Sequence, residues 1–437
     1  MYFCDRKKLK KKMSDYRSRI ADKLLQYKLE AIGAVLIEGP KACGKTTTAE
    51  QQAGSILYMD DPEHIDQNLQ LAQTNIKQLL QGTTPRLIDE WQLVPQLWDA
   101  IRFEVDHRGG DGLFMLTGSA VPADASKINH SGAGRFGWLT MRSMTLWESG
   151  ESSGDVSLEQ LFSSNYVVEG TNNLSLEQIA FVTCRGGWPK AVLKKSERAA
   201  LSQIHEYYQA IIRSDISRVD GINRDAERAH RLVRSYARLQ GTQTSATVIR
   251  DDMAAKESTE MSLVTIDSYL GALRKIFVVE DMPAWNPNLR SKTAIRTTDT
   301  RYFVDPSIAV AALGLSPSDL IGDLKTFGLL FETMAVRDLR VYAEAIGGKV
   351  YHYRDSNGLE CDAVVHLPNG KYGLVEIKLG GEKLIEEGVI SLNKLASKID
   401  TTRMLEPSFR MVLTAVGNYA YMRTDGVYVV PIGCLKD

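Results

Sequence analysis

The 437-residue sequence contains no apolar run of bilayer-spanning length, which argues against a helical membrane span and toward a cytoplasmic chain. Cysteine is sparse. Cys4, Cys43, Cys184, Cys361 and Cys434 stand far apart, without CxxC spacing or adjoining histidine pairs. Neither a zinc site nor a disulfide framework is expected from them, and a reducing compartment fits. Net charge is also nearly absent, at −1, so attraction to nucleic acid has to come from a local basic patch and not from the overall balance. No apolar stretch of signal-peptide length follows the basic leader Arg6, Lys7, Lys8 and Lys10 to Lys12. The leader reads as an extension ahead of Met13, the alternative being a disordered arm that touches acidic partners. What is present is 43% hydrophobic and 24% charged residues, a globular balance, over a length that suits roughly two to four domains.

The chemistry begins at a continuous apolar run, Ala34-Val35-Leu36-Ile37, of the kind that forms a buried parallel strand. It leads into Gly39-Pro40-Lys41-Ala42-Cys43-Gly44-Lys45-Thr46 and then Thr47, which satisfies GxxxxGK[ST] with a strand before and a helix after. Glycines let the backbone wrap an anion with its N–H groups, Lys45 neutralises β and γ oxygens, and the Thr46 hydroxyl suits Mg²⁺. Residues 39–47 are therefore expected to bind a nucleoside triphosphate, namely ATP with Mg²⁺. A second strand at Ser55–Met59 and a helical stretch over residues 65–81 follow. The third strand, Arg86-Leu87-Ile88, ends in Asp89-Glu90. Asp89 is expected in the Mg²⁺ shell, and Glu90 to polarise the water that attacks the γ-phosphate. The fourth strand, Phe114-Met115-Leu116, ends in Thr117-Gly118-Ser119, whose hydroxyls could orient that water. Arg135 sits in the Gly-rich segment Ser131–Phe136 as a candidate arginine finger; its plain alternative is a surface arginine.

The ordered set GPKACGKTT, RLIDEWQ, FMLTGSA, GAGRFGWLTMRSMTLWE and CRGGWPKAV resembles a large prokaryotic family of AAA-type ATPases that carries a C-terminal domain of unknown function. The resemblance is nearly full length. It implies an ATPase core with Arg135 between that core and a helical lid, acting on its own nucleotide or a neighbour's. Trp91 and Gln92 after the two acids also follow the family's pattern.

From Ser157 to about Gly221 the pattern reads as helical, interrupted at Gly186-Gly187-Trp188-Pro189, with Trp188 as a packing anchor. Three helices, residues 231–239, 246–254 and 263–275, then precede an alternating pair at 277–280 and 282–285, the outline of a winged helix. Thr265, Ser268, Tyr269, Arg274 and Lys275 on its last helix are candidate nucleic-acid contacts. Farther on, Leu324 to Leu339 reads as a helix carrying Glu332. A hairpin at 350–354 and 360–365 and a strand at 372–378 then place Asp362, Glu376 and Lys378 as Asp-x₁₃-Glu-x-Lys. Side chains repeat every two residues along a strand, so Glu376 and Lys378 share a face. This resembles the restriction-endonuclease-like fold, which implies Mg²⁺ on Asp362 and Glu376, with Lys378 beside the attacking hydroxide and Glu332 completing the acids. The bland alternative is a solvated ion cluster on a scaffold kept for its shape.

The expected architecture is α/β and multidomain. It comprises an extension (1–18), a P-loop AAA-type core with a parallel sheet (19–155), a helical lid (156–222), a winged helix (223–300) and a restriction-endonuclease-like domain (301–437). The leading expectation is an ATP-hydrolysing switch or motor acting on nucleic acid, with a homo-oligomer and DNA among its partners. The alternatives are an ATP-gated, Mg²⁺-dependent DNA nuclease and a nucleotide-dependent protein-interaction scaffold that cuts nothing.

Overall fold

A computed structural model describes residues 16–118, 131–163, 166–257, 260–288 and 294–437. These fall into two compact units. The first runs to Arg142 and includes the short stretches Ser217–Asn223 and Lys275–Phe277; the second comprises Ser143–Ile216, Arg224–Arg274 and Val278–Asp437. No helix of the described residues is long and apolar enough to cross a membrane.

The first unit is built on five parallel strands: β1 (Ala34–Glu38), β2 (Ser55–Tyr58), β3 (Arg86–Asp89), β4 (Phe114–Thr117) and β5 (Phe136–Thr140). Their order is β2-β3-β4-β1-β5, with every pairing parallel. The continuous apolar runs seen in the sequence follow from this arrangement, because a strand covered on both faces has no side for polar residues. β3 and β4 are buried along their whole length. On one face Leu36, Ile88, Phe114 and Leu116 pack with Trp91, Leu97, Trp98 and Ile101. Leu97, Trp98 and Ile101 belong to the helix Leu97–Arg108, where spacings of three and four residues put them on one side. β4 lies between β1 and β3, so the ends of three neighbouring strands meet in one place.

In the second unit seven strands form a mixed sheet in the order β7-β12-β13-β11-β10-β9-β8. These are β7 (Gly170–Thr171), β8 (Lys349–Arg354), β9 (Glu360–His366), β10 (Tyr372–Lys378), β11 (Phe409–Thr414), β12 (Tyr419–Met422) and β13 (Tyr428–Pro431). The hairpin of β8 and β9 and the antiparallel β10 stand where the alternating pattern put them. The helix Leu324–Ala345 runs a turn and a half beyond the expected Leu339, because Tyr342 and Ala343 continue its buried stripe.

Two sequence expectations are corrected here. The stretch from Ser157 is not helical at its start. β6 (Val156–Ser157) pairs with β14 (Leu435–Lys436), β7 pairs with β12, and the helix begins only at Leu176, after a capping box on Ser175. The expected wing, residues 277–280 against 282–285, does not form: Phe277 ends a turn at φ 58°, and the chain from Val279 to Ala284 is one segment. Val279 bridges Phe303, Met282 bridges Thr300 and Ala284 bridges His352. Asp281 alone separates the two runs, which leaves no room for a two-residue turn. The three preceding helices do form, at Ala226–Arg238, Ala246–Glu257 and Leu263–Lys275. On the last of them Tyr269 is buried with its hydroxyl on the Asp225 N–H, Ser268 serves Arg224, and Arg274 pairs with Asp281.

A buried ionic network sits inside this unit. Arg337 donates to Asp305 at 2.9 Å and pairs with Asp338 at 2.7 Å, all three side chains being essentially without exposure. Asp305 also accepts from Ser143 Oγ at 2.5 Å and from the Gly187 N–H at 2.9 Å. Asp338 accepts from the Leu146 N–H at 3.0 Å. The Gly-Gly-Trp cluster packs against this network. A Cβ at Gly187 would lie 2.0 Å from the Met144 carbonyl oxygen, and Trp188 is buried with its indole N–H on Ser307 Oγ at 2.9 Å.

Candidate nucleotide-binding site

The loop after β1 has the backbone its glycines permit. Gly39, Ala42 and Gly44 have φ of 145°, 62° and 107°, in the region that favours glycine. Gly39 is also a contact point, since a Cβ there would lie 2.0 Å from the Met141 carbonyl oxygen at the end of β5. Lys45 is buried, and its ammonium closes the loop on itself by donating to the carbonyls of Gly39 and Pro40, each at 2.8 Å. The helix Lys45–Gln52 starts here, so its free N–H groups and dipole face the loop's mouth. Lys41 and Cys43 belong to the turn, with Cys43 wholly buried beneath it, and Thr47 to the first turn of that helix.

The strand order brings the acidic end of β3 to this loop. Asp89 is paired in register with Thr117 of β4. Its Oδ1 accepts from the Thr117 hydroxyl and from Thr46 Oγ1, the latter at 2.8 Å. Burial raises the Asp89 carboxyl above its ordinary value, opposed by those two hydroxyls. The set fits a hydrated Mg²⁺ with triphosphate: Thr46 and Asp89 already touch, both offer hard oxygen, and Lys45 supplies the cation beside them. Glu90 follows in the left-handed region at φ 53°, a costly conformation for a side chain of this type and one that clusters at functional sites. The Gln92 amide donates to the Glu90 carboxylate. Gly118 makes space for Gln92, since a Cβ there would lie 2.4 Å from its Oε1. Ser119 lies outside the described residues.

Arg135 is not in this group. It immediately precedes β5, its carbonyl accepting from the Ala34 N–H at the start of β1, whereas the phosphate loop follows the end of β1. Five residues of strand separate the two, on the order of 16 Å at about 3.3 Å per residue. Its guanidinium pairs on the surface with Asp106 at 2.8 Å, a hydrogen bond that holds the Asp106 carboxyl below its usual range.

Two residues that sequence motifs do not flag lie against the loop. Arg19 is buried, and donates to the Cys43 carbonyl at 2.8 Å and to the Arg142 carbonyl at 2.9 Å. The Tyr16 hydroxyl meets Asp22 at 2.5 Å and Thr48 Oγ1 at 2.9 Å. Neither carries a motif in the sequence; Arg19 simply stands just ahead of the helix Ile20–Ala31.

In the second unit, Lys378 Nζ bridges Asp362 Oδ2 at 3.0 Å and Glu376 Oε2 at 2.6 Å. Asp362 also accepts from the Ile377 N–H at 2.7 Å. Glu332 hydrogen-bonds the Tyr302 hydroxyl at 2.5 Å and lines, with Asp362, a polar cavity of about 30 Å³, room for a single water. Burial first and the Asp362 charge second push Glu332 up to about 8, and the same two causes push Glu376 up to about 8. The second Glu376 oxygen, Oε1, is buried without a hydrogen-bond partner among the described residues. Among the described residues no three acid, imidazole or thiol groups are gathered as a metal site, and the lysine ammonium stands between the two strand acids. The group as it stands does not fit a divalent ion.

Residues 32–149 match a family model described as an AAA domain, and residues 176–319 and 327–435 match two domains of unknown function, DUF8612 and DUF4143. The uncharacterized proteins Rv2008c of Mycobacterium tuberculosis and Mb2031c of Mycobacterium bovis are each 23% identical over 356 residues, 81% of this chain and 72% of theirs. Among solved structures, the chain is similar to a Walker-type ATPase of Pyrococcus abyssi, with TM-score 0.44 and 14% identity over 68% of this chain and 96% of that one. The Aeropyrum pernix ORC1 protein in complex with DNA gives TM-score 0.26 and 12% identity, over 71% and 94%. The matched model and the geometry of β1, β3 and β4 agree over the same stretch: residues 32–149 form a P-loop domain of the AAA type, and residues 327–435 match a domain of unknown function.

Proposed function

We propose that the chain binds and hydrolyses ATP with Mg²⁺ and works as a nucleotide-dependent switch or motor acting on nucleic acid. The observation that carries the ATP part is the convergence of Lys45, Thr46, Asp89 and Thr117 at the ends of three adjacent strands. Lys45 releases the Gly39 and Pro40 carbonyls to meet phosphate oxygens, and Thr46 and Asp89 hold the metal shell. Glu90 polarises water, with Gln92 keeping its carboxylate in place and Thr117 fixing Asp89. Mg²⁺ held by Thr46 and Asp89 would supply neutralisation of the phosphate charge. The nucleic-acid part rests on the three-helix group whose last helix ends in two exposed cations, Arg274 beside Asp281 and Lys275 beside Asp220.

Arg135 acts on a neighbouring molecule in this reading, because an arginine side chain spans only about half the strand length that separates it from its own loop. A head-to-tail contact between copies follows from that. Lys45→Ala and Arg135→Ala are each expected to abolish phosphate release alone. Mixed in equal amounts, they should recover roughly a quarter of the wild-type rate, because one contact in four then pairs an intact loop with an intact finger. Wild-type turnover by Arg135→Ala alone would remove the finger; absence of phosphate release by the wild type would remove the ATPase reading.

One observation favours a second activity. Glu376 Oε1 is a buried acceptor that meets no donor within hydrogen-bond geometry among the described residues, beside Asp362 and Lys378 on adjacent strands. That is a position a cation would satisfy if Lys378 withdrew. On this reading labelled DNA is cut with Mg²⁺ or Mn²⁺ present, and Glu376→Ala leaves it intact. Equal cutting by wild type and Glu376→Ala would trace the activity to something else, and intact DNA with both would leave the second unit as a scaffold.

A further inference from the structure

We infer that Arg19 is a positioning residue that ties the phosphate loop to the segment through which the chain leaves the first unit, so that the loop's nucleotide state is passed on along that backbone. The inference rests on the ATP reading above. Arg19 holds two carbonyls at once, Cys43 in the loop and Arg142 at the exit. A trans peptide is planar, so the Cys43 carbonyl and the Gly44 N–H point to opposite sides. Fixing the carbonyl on the guanidinium turns the Gly44 N–H to the other face of the loop, the face the phosphates need.

The exit segment is held along its length. Met141 donates its N–H to the Glu38 carbonyl at 2.8 Å, and its own carbonyl touches both Gly39 and the Cys43 thiol, the latter at 3.7 Å. Beyond Arg142 every residue to Leu146 is buried. Ser143 Oγ is on Asp305, the Met144 N–H on the Gly187 carbonyl at 2.7 Å and the Leu146 N–H on Asp338. Arg142 is thus followed directly by a buried stretch bonded to Asp305, Gly187 and Asp338, and Asp305 and Asp338 are the carboxylates that Arg337 pairs with. The guanidinium fork suits this, since Nη1 and Nη2 each meet one carbonyl on a different segment, whereas a lysine would have to bring its single, shorter-reaching nitrogen within range of both.

The test uses the full chain, a fluorescent ADP analogue for affinity and hydrogen exchange of the peptide covering residues 143–147 with and without nucleotide. In the wild type, nucleotide is expected to change exchange in that peptide about tenfold. Arg19→Lys should bind nucleotide roughly tenfold more weakly, and at saturation should show no exchange response there. Tyr16→Phe, which alters only the neighbouring Asp22 and Thr48 contacts, should respond as wild type. Arg19→Gln, which keeps a donor, replaces the lysine variant where that does not fold. An undiminished response in saturated Arg19→Lys or Arg19→Gln overturns the inference, as does a wild type that binds nucleotide without responding in residues 143–147. A wild type that binds no nucleotide overturns the ATP reading beneath it as well.

Discussion

Glu90→Gln lowers ATP-dependent phosphate release by about a hundredfold or more, while nucleotide affinity stays within about threefold of wild type. The separation follows from where charge is needed. On the proposed reading Lys45, Thr46 and Asp89 serve oxygens present in bound nucleotide, so their loss should weaken binding; a carboxylate that polarises water would act only as the bond to the γ-phosphate breaks. Glutamine keeps the shape and the hydrogen bond with Gln92 but cannot take up a proton. Phosphate release and analogue affinity measured on the same preparation check this. Turnover above about a tenth of wild type in Glu90→Gln would mean that another group activates the water.

Arg337→Met destabilises the second unit by about 3–5 kcal/mol, the usual cost of removing one partner from a buried ionic group. At this size of unit that lowers the thermal midpoint by roughly 10 °C. Burial acts to raise Asp305, but the Arg337 charge with the Gly187 N–H and the Ser143 and Ser307 hydroxyls holds it below its ordinary value. For Asp338 burial wins, and its carboxyl is pushed up to about 6 even with Arg337 beside it. Without the arginine both carboxyls must take protons or reach water. The sign with pH is then fixed: a carboxyl raised above its ordinary 3.8 favours the folded state when protonated, so its contribution is present below about pH 4 and lost as pH rises through its folded value. The variant should therefore recover part of its deficit between pH 7 and pH 5. Thermal midpoints across that range read this directly; a deficit that does not shrink on acidification would show that lost packing, not stranded charge, is what Arg337→Met exposes.

The sequence disclosed most where one residue type has one physical task. The gathering of Lys45, Thr46 and Asp89 was legible because a strand-loop-helix motif with that residue spacing folds in one way, and β1, β3 and β4 because strands buried on two faces carry no polar alternation. β8 to β10 were legible through their alternation and their Asn-Gly and Gly turns. What stayed hidden depends on partners far along the chain. Nothing in Val278–Trp285 says that its neighbours are Thr300, Phe303 and His352, and two-residue strands such as Val156–Ser157 have no period to detect. Arg19 was hidden for the same reason, since its value lies in where its helix delivers a guanidinium, 24 positions before Cys43. The strand position of Arg135 was also beyond a linear reading: the Gly-rich segment is legible, but only the parallel register of β5 with β1 puts that arginine at the end of the sheet away from the loop.

The pairing of Leu435–Lys436 with Val156–Ser157 bears on the order in which the molecule can come into being. A chain emerging from its N-terminus has all five strands of the parallel sheet by Thr140, whereas Ser152 and Leu435, joined by a hydrogen bond, stand 283 positions apart. The phosphate loop thus gains its supporting strands early in synthesis, and the second unit waits with an open seam until its most distant residues arrive.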